Sequence, residues 1–204
     1  MNVSIKDYLN NPCGTLSIPY WKAKITPIPN SIIILHQDEF HHQYDDYQKY
    51  FRLLHPLKDF RPVIEGIETL TSSEELLHLL NTCFEKENIV LSLEDLYSME
   101  SHPTFYQNLW LGIRKEGKLI ACGIAEYDKE CMEGVIEWIC VLPEYQRNGY
   151  GLKLITGLLN KLKEQGASFV TVSGRVDNSS HPEEFYRSCG FIGSDIWYIC
   201  KQEE

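Results

Sequence analysis

No apolar run in the sequence approaches the roughly 18–20 residues that a membrane-spanning helix needs. The start, MNVSIKDYLNNPCG, has no apolar middle of the kind a secretory leader carries. A soluble, cytoplasmic protein with no membrane partner is therefore expected. Paired cysteines are missing too. Cys13, Cys83, Cys122, Cys131, Cys140, Cys189 and Cys200 make an odd number with no Cys-x-x-Cys spacing. Most stand in apolar runs, as small buried hydrophobes do, so no disulfide framework is expected. Of the 7 histidines, three fall in HQDEFHHQYDDY without a matching ligand set, which reads as a polar face rather than a metal site. Positive charge is scarce: 19 Lys and Arg against 29 Asp and Glu leave a net charge of −10. That argues against nucleic acid as a partner and suits a cationic substrate such as an amine. Neither a GxxxxGK[ST] lysine nor the third glycine of a GxGxxG turn is present.

What is present suits one ordinary domain, or a smaller one with an extension: 204 residues, 43% of them hydrophobic. The first part is rich in prolines and turn residues. It holds a short β-like run from Ser31 to Leu35, then Tyr44, Tyr47, Phe51 and Leu54 at helical offsets. Residues 1–60 read as an accessory segment of unknown role, with a boundary near Phe60 to Pro62. Residues 61–204 read as the main domain.

From Val63 the pattern is regular. Val63 to Leu70 predicts a strand, and TSSEELLHLLNTCF a helix opened by a Thr71–Glu74 capping box. Ser92 and Asp95 open a shorter helix. NLWLGIRKEGKLIACGIAEY predicts two strands joined at Glu116–Gly117. Val135 to Val141 predicts the next strand, with Ile136, Trp138 and Cys140 on one face and Glu137, Ile139 and Val141 on the other. A helix from Tyr150 to Gln165 follows, with Leu152, Ile155, Leu159 and Leu162 on one face and Gly166 as terminator. SFVTVSG predicts a strand, Ser180 with Glu183 a capped helix start with Pro182 in its first turn, and IWYICK a last strand. The fold class is α/β in the mixed α+β sense.

One junction asks for an explanation. An apolar strand carrying Glu137 ends at Pro143, and Gln146, Arg147, Asn148, Gly149, Tyr150 and Gly151 separate it from the best amphipathic helix. A helix N-terminus offers unbonded N–H groups and the positive end of its dipole, so it receives phosphate. Glycine at 149 and 151 removes the Cβ atoms that would hold a diphosphate off the backbone. Gln146 and Arg147 add side-chain donors.

With these residues, ICVLPEYQRNGYGLKLI resembles the acetyl-CoA-binding segment of the GNAT superfamily of N-acetyltransferases: a strand ending in Val-x-Pro, then [Gln/Arg]-x-x-Gly-x-[Gly/Ala] at a helix start. NSSHPEEFYRSCGF resembles the family's later Asn…Tyr-x-x-x-Gly-Phe motif, through Asn178, Tyr186, Gly190 and Phe191. Its Asn178-to-Tyr186 interval is one residue longer than usual and contains Pro182. The likeness starts near Val63; none is found for the first sixty residues. It implies a central mixed sheet flanked by helices, with an N-terminal extension, and acetyl-CoA as co-substrate. It further implies backbone groups of Ile139 and Val141 on the pantetheine arm, and Gln146 to Gly151 with Asn178 around the cofactor.

Acetylating an amine requires removing its proton, since a lysine-like ammonium with pKa about 10.4 cannot attack. The leaving thiolate takes a proton in turn. Glu137 is the candidate base, directly or through water, and an ion pair is its structural alternative. Tyr186 is the candidate acid, and aromatic packing its alternative. The acceptor is expected to be a small-molecule or peptide amine. Residues 1–60 would line the acceptor side, add a packing layer or form a homodimer contact. The rival readings are a non-catalytic acyl-CoA sensor of the same fold and a nucleotide-binding protein using the same turn.

Overall fold

The computed structural model describes residues 3–58 and 65–202. In chain order come α1 (Ile5–Asn10), α2 (Pro12–Thr15), α3 (Tyr20–Ile25), β1 (Ile32–His36), β2 (Tyr47–His55), β3 (Glu68–Thr69), α4 (Glu74–Cys83) and α5 (Leu93–Glu100). β4 (Trp110–Lys115), β5 (Lys118–Asp128), β6 (Glu133–Val141), α6 (Tyr150–Gln165), β7 (Phe169–Arg175), α7 (Pro182–Ser188) and β8 (Ile192–Lys201) complete it. The architecture is α+β, its paired strands mostly antiparallel and flanked by helices. Among the described residues no helix is long and apolar enough to cross a membrane.

Two compact units divide the chain: Met1–Pro56 with Thr171–Glu204, and Leu57–Val170. This differs from a separate segment of sixty residues. The boundary expected near Phe60 to Pro62 falls outside the described residues, as does the start of the strand expected from Val63. The reason for the difference lies in β8. In the first unit the strand order is β1-β8-β2-β7, so β8 is held on both sides by strands from the N-terminal part. Ile34 stands opposite Ile199, and Phe51 opposite Ile196. Trp197 Nε1 donates to the Cys13 carbonyl at 2.8 Å, docking α2 on β8. The buried Arg52 donates to Tyr8 Oη at 2.9 Å and Ser173 Oγ at 3.2 Å, tying α1, β2 and β7 together.

The stretch expected as a helix around Tyr44 to Leu54 is mostly strand β2. Intervals of three and four fitted a helix, but Phe51 and Leu53, two apart, are both fully buried. Pairing with β8 decides what local spacing left ambiguous. Phe51 also explains Gly174: a Cβ added there would stand 2.6 Å from Phe51 Cζ. Gly174→Ala is therefore expected to cost about 1–3 kcal/mol by overpacking, read as a lower urea midpoint with an unchanged slope.

In the second unit the order is β6-β5-β4-β3. Glu116 and Gly117 both take positive φ, 53° and 82°, so the β4–β5 hairpin turns where expected. α6 begins at Tyr150 and ends at Gln165 as its pattern predicts, with Gly166 left-handed at its end. Its buried stripe is Leu154, Ile155, Leu158, Leu159 and Leu162, whereas Leu152 is exposed. α4 is capped by Ser73 rather than Thr71, through Leu76 N–H to Ser73 Oγ at 3.2 Å. α5 has the expected Ser92–Asp95 capping box. Ser92 Oγ and, to a lesser extent, Ser92 N–H donate to Asp95 Oδ2 and hold that carboxyl below its ordinary range.

Candidate active site

β6 carries a bulge at Glu137. Trp138 pairs with Ile124 and Ile136 with Ala125, so two adjacent β5 residues oppose residues two apart on β6. The simple alternation expected for this strand therefore fails. Trp138 and Cys140 do share a face, against α4 and the residue after it: Trp138 meets Phe84 edge-on at 5.1 Å. Ile136 is opposite the next β5 residue and crosses to the α6 side, where Ile139 packs by Gly123 and Leu158. Glu137 is the extra residue, half-buried where the faces switch.

Cys140 Sγ lies 3.3 Å from Cys122 Sγ. The hydrogen bond with Cys122, along with burial, pushes its thiol well above the ordinary range. Such a group packs and does not carry acyl chemistry.

Leu142 N–H donates to the Ile120 carbonyl. By the two-residue alternation of an antiparallel ladder, Cys140 faces β5 with its backbone groups while those of Ile139 and Val141 point away from it. The turn beyond is built from its own polar groups. Gln146 Nε2 donates to the Val141 carbonyl at 3.1 Å. Asn148 Nδ2 donates to the carbonyls of Tyr145 at 3.1 Å and Gln146 at 2.9 Å. Gln146 and Asn148 thus brace the loop, and Arg147 at φ 62° and Gly149 at φ 81° bend it. A positive φ in arginine is uncommon and concentrates at functional turns.

The loop delivers an uncovered helix start. α6 has no side-chain cap and no acidic residue in its first turn. Lys153 N–H makes the first helical bond, to Gly149, and the amides of Tyr150, Gly151 and Leu152 come before any helical acceptor. A Cβ on Gly149 would meet nothing within 4 Å, so the approach is open. Lys115 and Lys118 stand 5.5 and 5.8 Å from the Tyr145 ring, and Lys118 Nζ pairs with Glu144 at 3.1 Å, so its charge is matched within the turn. Neither was singled out from the sequence, because the hairpin that carries them is distant in the chain.

The later motif lies in the first unit. Tyr186, on α7, packs against Phe185 at 5.4 Å, Phe191 at 5.6 Å and Phe51 at 6.3 Å. Burial pushes its phenol up, with Cys189 adding to the shift. It keeps its proton, and the same burial makes it a weaker acid. Asn178 Oδ1 accepts from Ser180 N at 2.9 Å and Ser180 Oγ at 2.8 Å. Asn178 and Ser180 form a turn ahead of α7. His181, not Ser180, is the N-cap, left-handed at φ 51°, with Pro182 in the first helical turn.

A second unforeseen feature is a carboxylate–imidazole contact, His102 with Glu126. Glu126 and Asp128 inside the apolar β5 were its visible signal, because buried acids require partners.

Known structures share this fold. A GCN5-related N-acetyltransferase from Sphaerobacter thermophilus superposes with a TM-score of 0.64 at 17% identity, covering 79% of this chain and 53% of that one. This chain therefore spans about half of that protein. An acetyltransferase from the GNAT family of Colwellia psychrerythraea gives 0.56 at 18% identity, over 83% and 64%. The ribosomal-protein-S18-alanine N-acetyltransferase of Escherichia coli gives 0.53 at 18% identity, over 68% and 95%. No curated protein matches the chain. The model of the acetyltransferase (GNAT) family matches residues 73–191, more than half of the sequence and all of the β6–α6 junction. The chain belongs to the GNAT acetyltransferase family.

Proposed function

We propose that the protein is an N-acetyltransferase that moves an acetyl group from acetyl-CoA directly to a primary amine. The observation that carries this reading is the bare start of α6, a helix of 16 residues entered through two left-handed positions with nothing capping it. A diphosphate is the ligand such an end favours, through amide hydrogen bonds and the helix dipole. Tyr150, Gly151 and Leu152 would supply the amides and Arg147 a charge. Ile139 and Val141 would offer strand-edge backbone groups to the pantetheine arm. When bound, acetyl-CoA supplies the thioester carbonyl for attack.

Glu137 takes the proton of the attacking amine, directly or through water. Tyr186 returns one to the departing sulfur. Asn178 is assigned to the same cofactor site on the family's pattern, acting through the turn it holds with Ser180. The acceptor is a small or peptide amine, and the net charge of −10 favours a cationic one. A cytoplasmic setting suits this chemistry, and residues 1–60 are proposed to lie on the acceptor side.

A thiol-release assay tests this, using acetyl-CoA with spermidine, tyramine and an alanine-initiated peptide. Turnover with at least one of them is expected. Calorimetric binding of acetyl-CoA with no turnover on any amine would favour a sensor and overturn the catalytic reading.

A further inference from the structure

Three thiols that the mechanism above leaves unused meet on the α4 side of the second unit. Cys140 on β6 stands directly opposite Cys122 on β5, with their sulfurs 3.3 Å apart. Cys83, the last residue of α4, also hydrogen-bonds with Cys140. All three are free thiols, and they differ in access: Cys122 and Cys140 are buried, whereas Cys83 is half-buried. Such a cluster has a chemistry that a lone buried thiol lacks. Oxidation of the outermost sulfur leaves a second sulfur in contact to resolve it.

The surroundings set the pace. The hydrogen bond with Cys140, then burial, push the Cys83 thiol well above its ordinary range, and Glu144 beyond β6 and Glu87 after α4 add to the shift. Cys140, held by Cys122 and buried, is raised too. Thiolate is therefore scarce at neutral pH, and closure is slow.

We propose that Cys83 and Cys140 form a reversible disulfide under a hydroperoxide, a redox lock on the strand proposed to hold the pantetheine arm. Its regulatory effect rests on the acetyl-CoA reading. In the first step the Cys83 sulfur attacks a peroxide oxygen. An S–O bond forms, the O–O bond breaks, and the departing hydroxide takes the Cys83 proton as water. In the second step the Cys140 sulfur attacks the Cys83 sulfenic acid. An S–S bond forms, the S–O bond breaks, and hydroxide leaves with the Cys140 proton as a second water. Two thiols lose two electrons, and one peroxide becomes two waters.

A disulfide draws its sulfurs to about 2.05 Å, closer than any hydrogen-bonded pair. Cys140 lies between Ile139 and Val141. The bond therefore ties the end of α4 to the backbone that would meet the cofactor.

Two measurements test the lock. Wild-type protein is treated with hydrogen peroxide, alkylated under denaturing conditions and mapped by mass spectrometry with fragmentation. A linked Cys83–Cys140 peptide is expected, absent after dithiothreitol and absent in Cys83→Ser. Its rate of appearance should rise about tenfold per pH unit from pH 7 to 9, because the Cys83 thiol stays protonated across that range. After peroxide is removed, the closed form should bind acetyl-CoA about 3–10-fold more weakly by calorimetry, about the worth of one backbone hydrogen bond. Dithiothreitol should restore the affinity.

No linked peptide, or one joining Cys122 to Cys140, overturns the proposal. A rate that ignores pH overturns the route through Cys83. Equal affinity in the closed and reduced forms overturns the regulatory role while leaving acetyl-CoA binding in place. A reduced form that binds no acetyl-CoA removes the parent reading and that role together, and the linked peptide is read without acetyl-CoA.

Discussion

Glu137→Gln is expected to lower kcat/KM for acetyl transfer by about 10²–10⁴-fold, with acetyl-CoA affinity unchanged. The substitution keeps the size and hydrogen-bonding shape of the side chain and removes only its ability to hold a proton. Glu137 is the extra residue of the β6 bulge, the place where that strand departs from regular pairing with β5. β6 ends four residues later, at Val141, and the turn proposed to receive the diphosphate lies beyond it. Loss of the base should therefore separate from loss of binding. On the proposed mechanism, transfer without that base must wait for amine that is already neutral. The rate of the variant should rise about tenfold per pH unit below an acceptor pKa of about 10.4, while the wild type levels off earlier. A purely structural glutamate would lower the rate equally at every pH. Unchanged kcat/KM in Glu137→Gln would end the assignment.

The sequence foretold the parts of this molecule that are local and failed where distant strands decide. α6 was legible to the residue, because Gly149 and Gly166 mark its ends and apolar residues recur between them at helical intervals. The β4–β5 turn was legible because Glu116–Gly117 accepts two left-handed residues in succession. β2 was not. Its tyrosines and Phe51 fit two periods, and only β8, some 140 residues away, makes the strand the better choice. The bulge was equally hidden. Nothing in VIEWICV says that pairing slips from Ile124 opposite Trp138 to Ala125 opposite Ile136, yet this one slip reassigns Ile136 to the other face. At the site, the bare helix start could be read from residue types alone. The work of Gln146 and Asn148 could not, because a carboxamide serves a phosphate or a carbonyl equally well until its neighbours are known. Here both donate to backbone carbonyls, Gln146 to that of Val141 at the end of β6 and Asn148 to those of Tyr145 and Gln146 in the turn.

Gly149→Asp is expected to weaken acetyl-CoA binding by at least about 100-fold, or about 2.7 kcal/mol, with little change in stability. Three effects on the fold compete. A residue with a Cβ at φ 81° carries a left-handed penalty of about 1–2 kcal/mol, smaller for aspartate than for most residues. A carboxylate at the positive end of α6 returns about 0.3–1 kcal/mol. The added Cβ finds open space and meets no neighbour within 4 Å. The balance for the folded protein is near ~1 kcal/mol, visible as a small shift of the urea midpoint. For the ligand every term has the same sign: the new carboxylate occupies the helix dipole, competes for the amides of Gly151 and Leu152, and repels the diphosphate. Gly149→Ala separates the contributions, since it carries the backbone penalty without the charge and should lose far less affinity. Added salt should narrow the gap between the two variants by screening the repulsion. Equal acetyl-CoA affinity in Gly149→Asp and wild type, measured by calorimetry on folded protein, would mean that the start of α6 is not where the diphosphate binds.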